Sequence, residues 1–277
     1  MIRLFNIEFY KIKHHKISKF LFFSYFVLLS SIALIASIKF KLGTMEIQLA
    51  EQGIFNFPYI WHFNTYIADI FTFFLAIIVV SMITNEYSYR TVKQNLIDGL
   101  SKKEFILSKF YFLVVLSLLA TFFVFIISLI LGYAYSDYTS AHNVFSDLYF
   151  LFAFFLKLLG TFSFIMFLGF LLKRSAFAIG FYFIWMAIEG ITYGLMRWQV
   201  FNEKIADQFI VFLPFNAMKS LLPEPASRLS AVKKIGKQIG ENMGEFTGIS
   251  IYHFLVVIFW IVFFVYFSYA ILKKRDL

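Results

Sequence analysis

The chain has 277 residues, of which 61% are hydrophobic, 22% aromatic and only 15% charged, whereas soluble domains are about half apolar and about a quarter charged. So much apolar surface excludes a water-soluble globular fold, and the absence of cysteine excludes a disulfide framework, a thiolate metal site and a thiol nucleophile. The net charge of +9 falls in short Lys and Arg clusters between apolar runs, the pattern of membrane orientation rather than of a nucleic-acid surface.

The first sixteen residues set Ile2, Phe5, Phe9 and Ile12 at helical spacing, with Arg3, Glu8, Lys11 and Lys13 largely elsewhere around the helix. This predicts an amphipathic helix over 1–16 that lies in the membrane interface against lipid. His14 and His15 are adjacent and point to different helix faces, which is poor ligand geometry, so no metal is expected there. The apolar run 17–40 is too long for a signal-peptide core, and Ser37-Ile38-Lys39 is no small-residue cleavage site, so it should remain as a helix. Crossing the hydrocarbon core takes roughly 20 apolar residues. Further runs at 59–84, 105–135, 148–172, 176–195 and 249–272 therefore predict six spans in all.

Basic residues in short connections set the orientation. Arg3, Lys11, Lys13, Lys16 and Lys19 precede the first span, and Arg90, Lys93, Lys102 and Lys103 follow the second. Lys173 and Arg174 follow the fourth span, Lys273, Lys274 and Arg275 follow the sixth, and the connection 136–147 has neither Lys nor Arg. With six spans all four clusters share one side, so both ends are expected in the cytoplasm, beneath a bacterial inner membrane. The segment 198–248 is then extracytoplasmic. Within it Phe209 to Leu222 forms two short apolar pieces broken at Pro214, expected to dip back into the outer leaflet where buried non-helical backbone is tolerated; a helix resting on the interface is the alternative. Beyond it, Arg228 to Ile239 reads as a basic amphipathic helix.

Ionisable residues inside a membrane are costly and point to function. Asp69, Lys157 and Glu189 each fall roughly 10 to 15 Å below the outer surface at 1.5 Å per helical residue. They are expected to form one group with Lys157 between two carboxylates, either lining a substrate path or only fastening helices. Beside Glu189, Gly190 and Gly194 form a G-x-x-x-G pair suited to close helix packing.

The connection 85–104 is the most organised of the loops. Glu86 and Arg90 stand at i and i+4 in the favourable order, Asp98-Gly99 makes a stop, and Ser101-Lys102-Lys103-Glu104 is a capping box that opens the third span. With Thr91, Lys93, Gln94 and Lys109, this stretch resembles the coupling-helix region of ABC-2 type transporter permeases: an acidic residue, a small pair, a basic-polar helix, then a Ser-Lys turn and a Lys before the third span. Arg90 stands where many members carry Gly, which suggests a more continuous local helix here.

The resemblance implies an all-α integral membrane protein of six spans with an interfacial start, a cytoplasmic coupling helix and a re-entrant outer segment. It also implies a pair of permeases, identical or different, and two separate ABC ATPase subunits that carry ATP and magnesium. The chain itself should bind no cofactor and catalyse nothing; no G-x-x-x-x-G-K-[ST] phosphate loop is found in it. The implied cargo is an amphipathic compound, a lipid-like molecule or a peptide, moved outward. A secondary transporter or channel, or a membrane enzyme or assembly factor, are the alternatives. The first calls for matched broken repeats and the second for a motif such as H-E-x-x-H, and neither is evident.

Overall fold

A computed structural model describes residues 9–11, 14–37, 39–42, 45–48, 53–200, 209–228 and 248–275. Most of the expected interfacial helix and of the basic helix after Arg228 lies outside these residues. The regular elements are α1 (Lys16–Ser37), β1 (Lys39–Leu42), β2 (Met45–Gln48), α2 (Tyr59–Ile70), α3 (Thr72–Ser88) and α4 (Thr91–Ile97). There follow α5 (Lys102–Tyr135), α6 (Ala141–Phe145), α7 (Tyr149–Leu172), α8 (Ser175–Leu195), a π turn at Met196–Val200, α9 (Pro214–Ser220) and α10 (Ile251–Lys273).

The bundle is helical as expected, and one short hairpin is added to it. Lys39 pairs opposite Gln48 and Leu42 opposite Met45 in an antiparallel ladder. Its cause is legible in K-F-K-L and M-E-I-Q, whose polar and apolar residues alternate with the two-residue period of a strand, so the first helix stops at Ser37 rather than at residue 40.

Among the described residues, α5, the stretch Ala141–Leu172, α8 with its π turn, and α10 are each long and apolar enough to cross a membrane. A fifth candidate is bent: α2 and α3, which are long and apolar enough only together, meet at 48°, where one straight helix over 59–84 was expected. No Pro or Gly stands at the bend. Phe71 bonds back to the Ala68 carbonyl over 3.2 Å in a tighter turn, and Asp69 lies immediately before it.

Contacts across the bundle define its two ends. At one, Lys11 meets Glu86, Lys102 donates to the carbonyls of Lys273 and Arg275 at 3.2 and 2.9 Å, and Arg275 donates to the Tyr87 hydroxyl and the Phe170 carbonyl. This is the Glu86 end. At the other, the Trp61 indole donates to the Val144 carbonyl at 2.8 Å and the Tyr59 hydroxyl to the Pro225 carbonyl at 2.9 Å. This is the Tyr59 end.

The hub is α7, which packs against α2, α3, α5, α8, α9 and α10. A helix apolar on every side is buried on every side, and Lys157 is the one charge in its 24 residues. Gly160 lets the neighbours close in: a Cβ there would lie 3.2 Å from Met218 Cε of α9 and 3.3 Å from Val257 Cγ1 of α10. By contrast, α8 leaves a face uncovered. A Cβ at Gly190 or Gly194 would meet nothing within 4 Å among the described residues, so the close packing expected of this pair is not made with any of them.

Candidate functional site

At the Glu86 end the sequence builds a helix, a turn and a second helix. Arg90 adopts a left-handed conformation, φ 57°, which ends α3 and starts α4. The expectation of a more continuous helix is thus overturned: the arginine takes up the backbone shape for which glycine is best suited. The i, i+4 pairing of Glu86 with Arg90 is lost for the same reason, since the left-handed residue ends the helical register that would align them. The stop after Ile97 falls at Asp98, with Gly99 at φ 98°. The capping box then forms in full, with Ser101 Oγ accepting from the Glu104 amide and Glu104 Oε2 accepting from the Ser101 amide at 2.9 Å.

Glu86 is buried, and its Oε1 accepts from Lys109 of α5 and from Lys11 of the N-terminal segment, the latter at 2.8 Å. Lys109 is fully buried, whereas about a third of the Lys11 side chain is exposed. On the other oxygen, Asn95 of α4 approaches at 3.5 Å, and the Thr91 hydroxyl reaches back to the Glu86 carbonyl at 3.4 Å. One carboxylate therefore ties α3, α4, α5 and the start of the chain. Because buried charges persist only when paired and hydrogen-bonded, these four pieces are obliged to move together or to part at a cost.

The rest of α4 faces away. Val92 is buried, while Arg90, Lys93, Gln94 and Asp98 are exposed. Tyr89, just before the turn at Arg90, and Ile97, at the end of α4, are 73% and 74% exposed, two apolar side chains that sequence reading does not single out.

Deeper in the bundle, Lys157 of α7 and Asp69 of α2 form an ion pair at 2.7 Å, the lysine nearly buried and the carboxylate about a quarter exposed. Glu189 does not join them. It is buried and accepts from the Trp185 indole at 2.7 Å, the Phe215 and Asn216 amides at 3.1 and 3.0 Å, and the Asn216 side chain at 2.9 Å. It is the acceptor for the first turn of α9, whose free amides carry partial positive charge. Pro214 at the first helical position gives up no needed donor there. The expected trio is thus a pair and a separate cap. The depth argument had no means of supplying the amides of a segment 26 residues further on.

The pair, the bend at Phe71, α8 and α9 enclose a half-open cavity of about 550 Å³. Asp69, Lys157 and Asn216 line it, together with Tyr66, Phe73 and Tyr182 among its aromatic walls. No group of three or more His, Asp or Glu suited to a metal occurs among the described residues.

Residues 4–189, more than half of the chain, match the model of a family described as ABC-2 family transporter protein. The match takes in the Glu86 end, the bend, all of α7 and α8 as far as Glu189. No curated protein matches the chain.

Proposed function

Because the chain belongs to the ABC-2 transporter family, and is thereby a multi-pass permease component of an ABC transporter, we propose that it exports an amphipathic cargo when ATPase subunits docked at the Glu86 end drive it. The observation that carries this reading is the four-way junction at Glu86 beneath the exposed Lys93, Gln94 and Ile97 of α4. A push on α4 is delivered through Glu86 to α3 and, through Lys109, to α5. The far end of α3 is the bend beside the Asp69 to Lys157 pair, so a tilt of α3 changes the shape of the cavity. Nucleotide binding can drive such a tilt only if the ATPase holds α4 differently in two states, and a rigid buried ion-pair junction makes that difference travel.

In this reading the Glu86 end faces the cytoplasm of a bacterial inner membrane, and six spans join it to the Tyr59 end. Support comes from Lys11, Lys102 and Arg275 gathering at one end, which requires an even number of crossings between the two termini. The α9 segment re-enters the outer leaflet and closes the path there, since its first turn meets Glu189 six residues, about 9 Å, short of the end of α8. A second permease, identical or not, pairs with this one. ATP and magnesium bind the partner ATPase. The chain holds no cofactor, and lipid surrounds it.

Gentle purification of the tagged chain from its native membrane, followed by identification of what accompanies it, tests the assembly. An ABC ATPase in about equal amount is the expected result, and a chain that repeatedly emerges with no ATPase overturns the proposal.

A further inference from the structure

The cavity has a chemistry of its own, and the following rests on its being the transport route. Its charged lining comprises Asp69, Lys157 and Lys219. The first two neutralise each other at 2.7 Å. Lys219 of α9 is exposed and has no acidic partner among the described residues, which leaves the cavity one positive charge in excess.

Two hydroxyls on the same walls are poorly used. Thr72, next to the bend, lines the cavity with its Oγ1 buried and without a hydrogen-bond partner, an expensive condition for a polar group. Thr161, on α7, finds only the Met218 sulfur at 3.5 Å, a weak acceptor. Donors without acceptors, beside an uncompensated ammonium, call for an anion. A cationic headgroup would find its one carboxylate already committed to Lys157.

The mouth is different. Ile70, Phe73, Phe183 and Met186 line it and are each more than 40% exposed, on the side where α8 is uncovered. An alkyl chain leaving the cavity there stays among apolar side chains and lipid, and pockets of this size bury most of a small ligand behind a few placed polar groups.

We propose that this cavity binds an amphipathic anion, its phosphate or carboxylate headgroup held by Lys219 with the hydroxyls of Thr72 and Thr161, and its apolar tail leaving between Phe73 and Phe183. Asp69 sets the selectivity by holding Lys157, so that neither a second anion nor a cation is favoured.

The test uses the chain with its ATPase in phosphatidylcholine nanodiscs, radiolabelled dodecyl phosphate as probe, and three competitors: inorganic phosphate, dodecanol and dodecyltrimethylammonium. Bound probe and stimulated ATP hydrolysis are both measured. Saturable binding near one probe per permease is expected, weakened at least fivefold in Lys219→Gln and about threefold in Thr72→Ala, and displaced poorly by all three competitors. Gly190→Phe, at a cavity-lining position where a side chain meets open space, keeps the fold and blocks binding. Equal competition by dodecyltrimethylammonium or dodecanol, or full binding in Lys219→Gln, with Gly190→Phe still blocking, overturns the anion and leaves the route. Inorganic phosphate competing as well as dodecyl phosphate overturns the tail. If Gly190→Phe alters neither binding nor stimulated hydrolysis, the cavity is not the route and the reading beneath this one fails with it.

Discussion

Replacing Glu86 by Gln removes one charge and leaves two lysines facing each other, but the two are not equally placed. Lys109 is fully buried, and stripping a buried ion of its partner costs about 3 to 5 kcal/mol. Lys11 keeps about a third of its side chain in solvent, and an exposed or screened pair contributes only about 0 to 1 kcal/mol. The loss from Glu86→Gln should therefore match that from Lys109→Met, and Lys11→Gln should cost a small fraction of either. The double variant Glu86→Gln with Lys109→Met removes both buried charges and should recover much of the loss, because apolar packing can stand in for a buried pair. Equilibrium unfolding of the parent chain and these four variants in mixed micelles, with the Glu86 and Lys109 substitutions read as a double-mutant cycle, gives the coupling directly. Contacting residues show interaction energies of about 0.5 to 3 kcal/mol. Additive losses, or a Lys11→Gln defect as large as that of Lys109→Met, would refute the four-way junction as the element that binds α3 to α5.

Three further outcomes follow from the same geometry. Asp69→Asn combined with Lys157→Met should be less damaging than Lys157→Met alone, whereas Lys157→Met and Glu189→Gln should add, since those two residues share no contact; thermal unfolding of the purified variants decides it. Glu189→Gln weakens charge-assisted bonds to α9, each about 1.5 to 3 kcal/mol, and should speed aqueous labelling of a cysteine placed at the buried Ala217; an unchanged rate would show that Glu189 does not hold the segment. Arg90→Gly should preserve or raise stability by about 1 kcal/mol, because a non-glycine residue in the left-handed region costs about that much, while a β-branched Arg90→Val should lower it, as chemical unfolding would show.

Much of this architecture could be read from the sequence because membrane solvent imposes simple rules. Apolar length marked the helices that became α5, α7, α8 and α10, and local chemistry of three or four residues fixed the capping box at Ser101 and the stop at Asp98. Failures came where the cause was distant or shallow. The bend at Phe71 has no Pro or Gly to announce it. Arg90 shows no sequence preference for φ above zero, yet the chain must turn there for Thr91 and Asn95 to reach Glu86. Glu189 is assigned to a lysine on charge and estimated depth; backbone amides, which no sequence displays, satisfy it instead. The hairpin at 39–48 was missed although its alternation was in plain view, because the apolar run before it carried the span assignment past Ser37.

The central claim, that α4 is where an ATPase grips this permease, is tested most directly by a photoactivatable crosslinker at Gln94, with a control at Tyr252 near the start of α10, activated in native membranes with and without ATP. Crosslinking from 94 to an ABC ATPase, changing in yield with nucleotide and absent from 252, is the predicted result. A product from 252 but not from 94, or none with an ATPase from either, would contradict it.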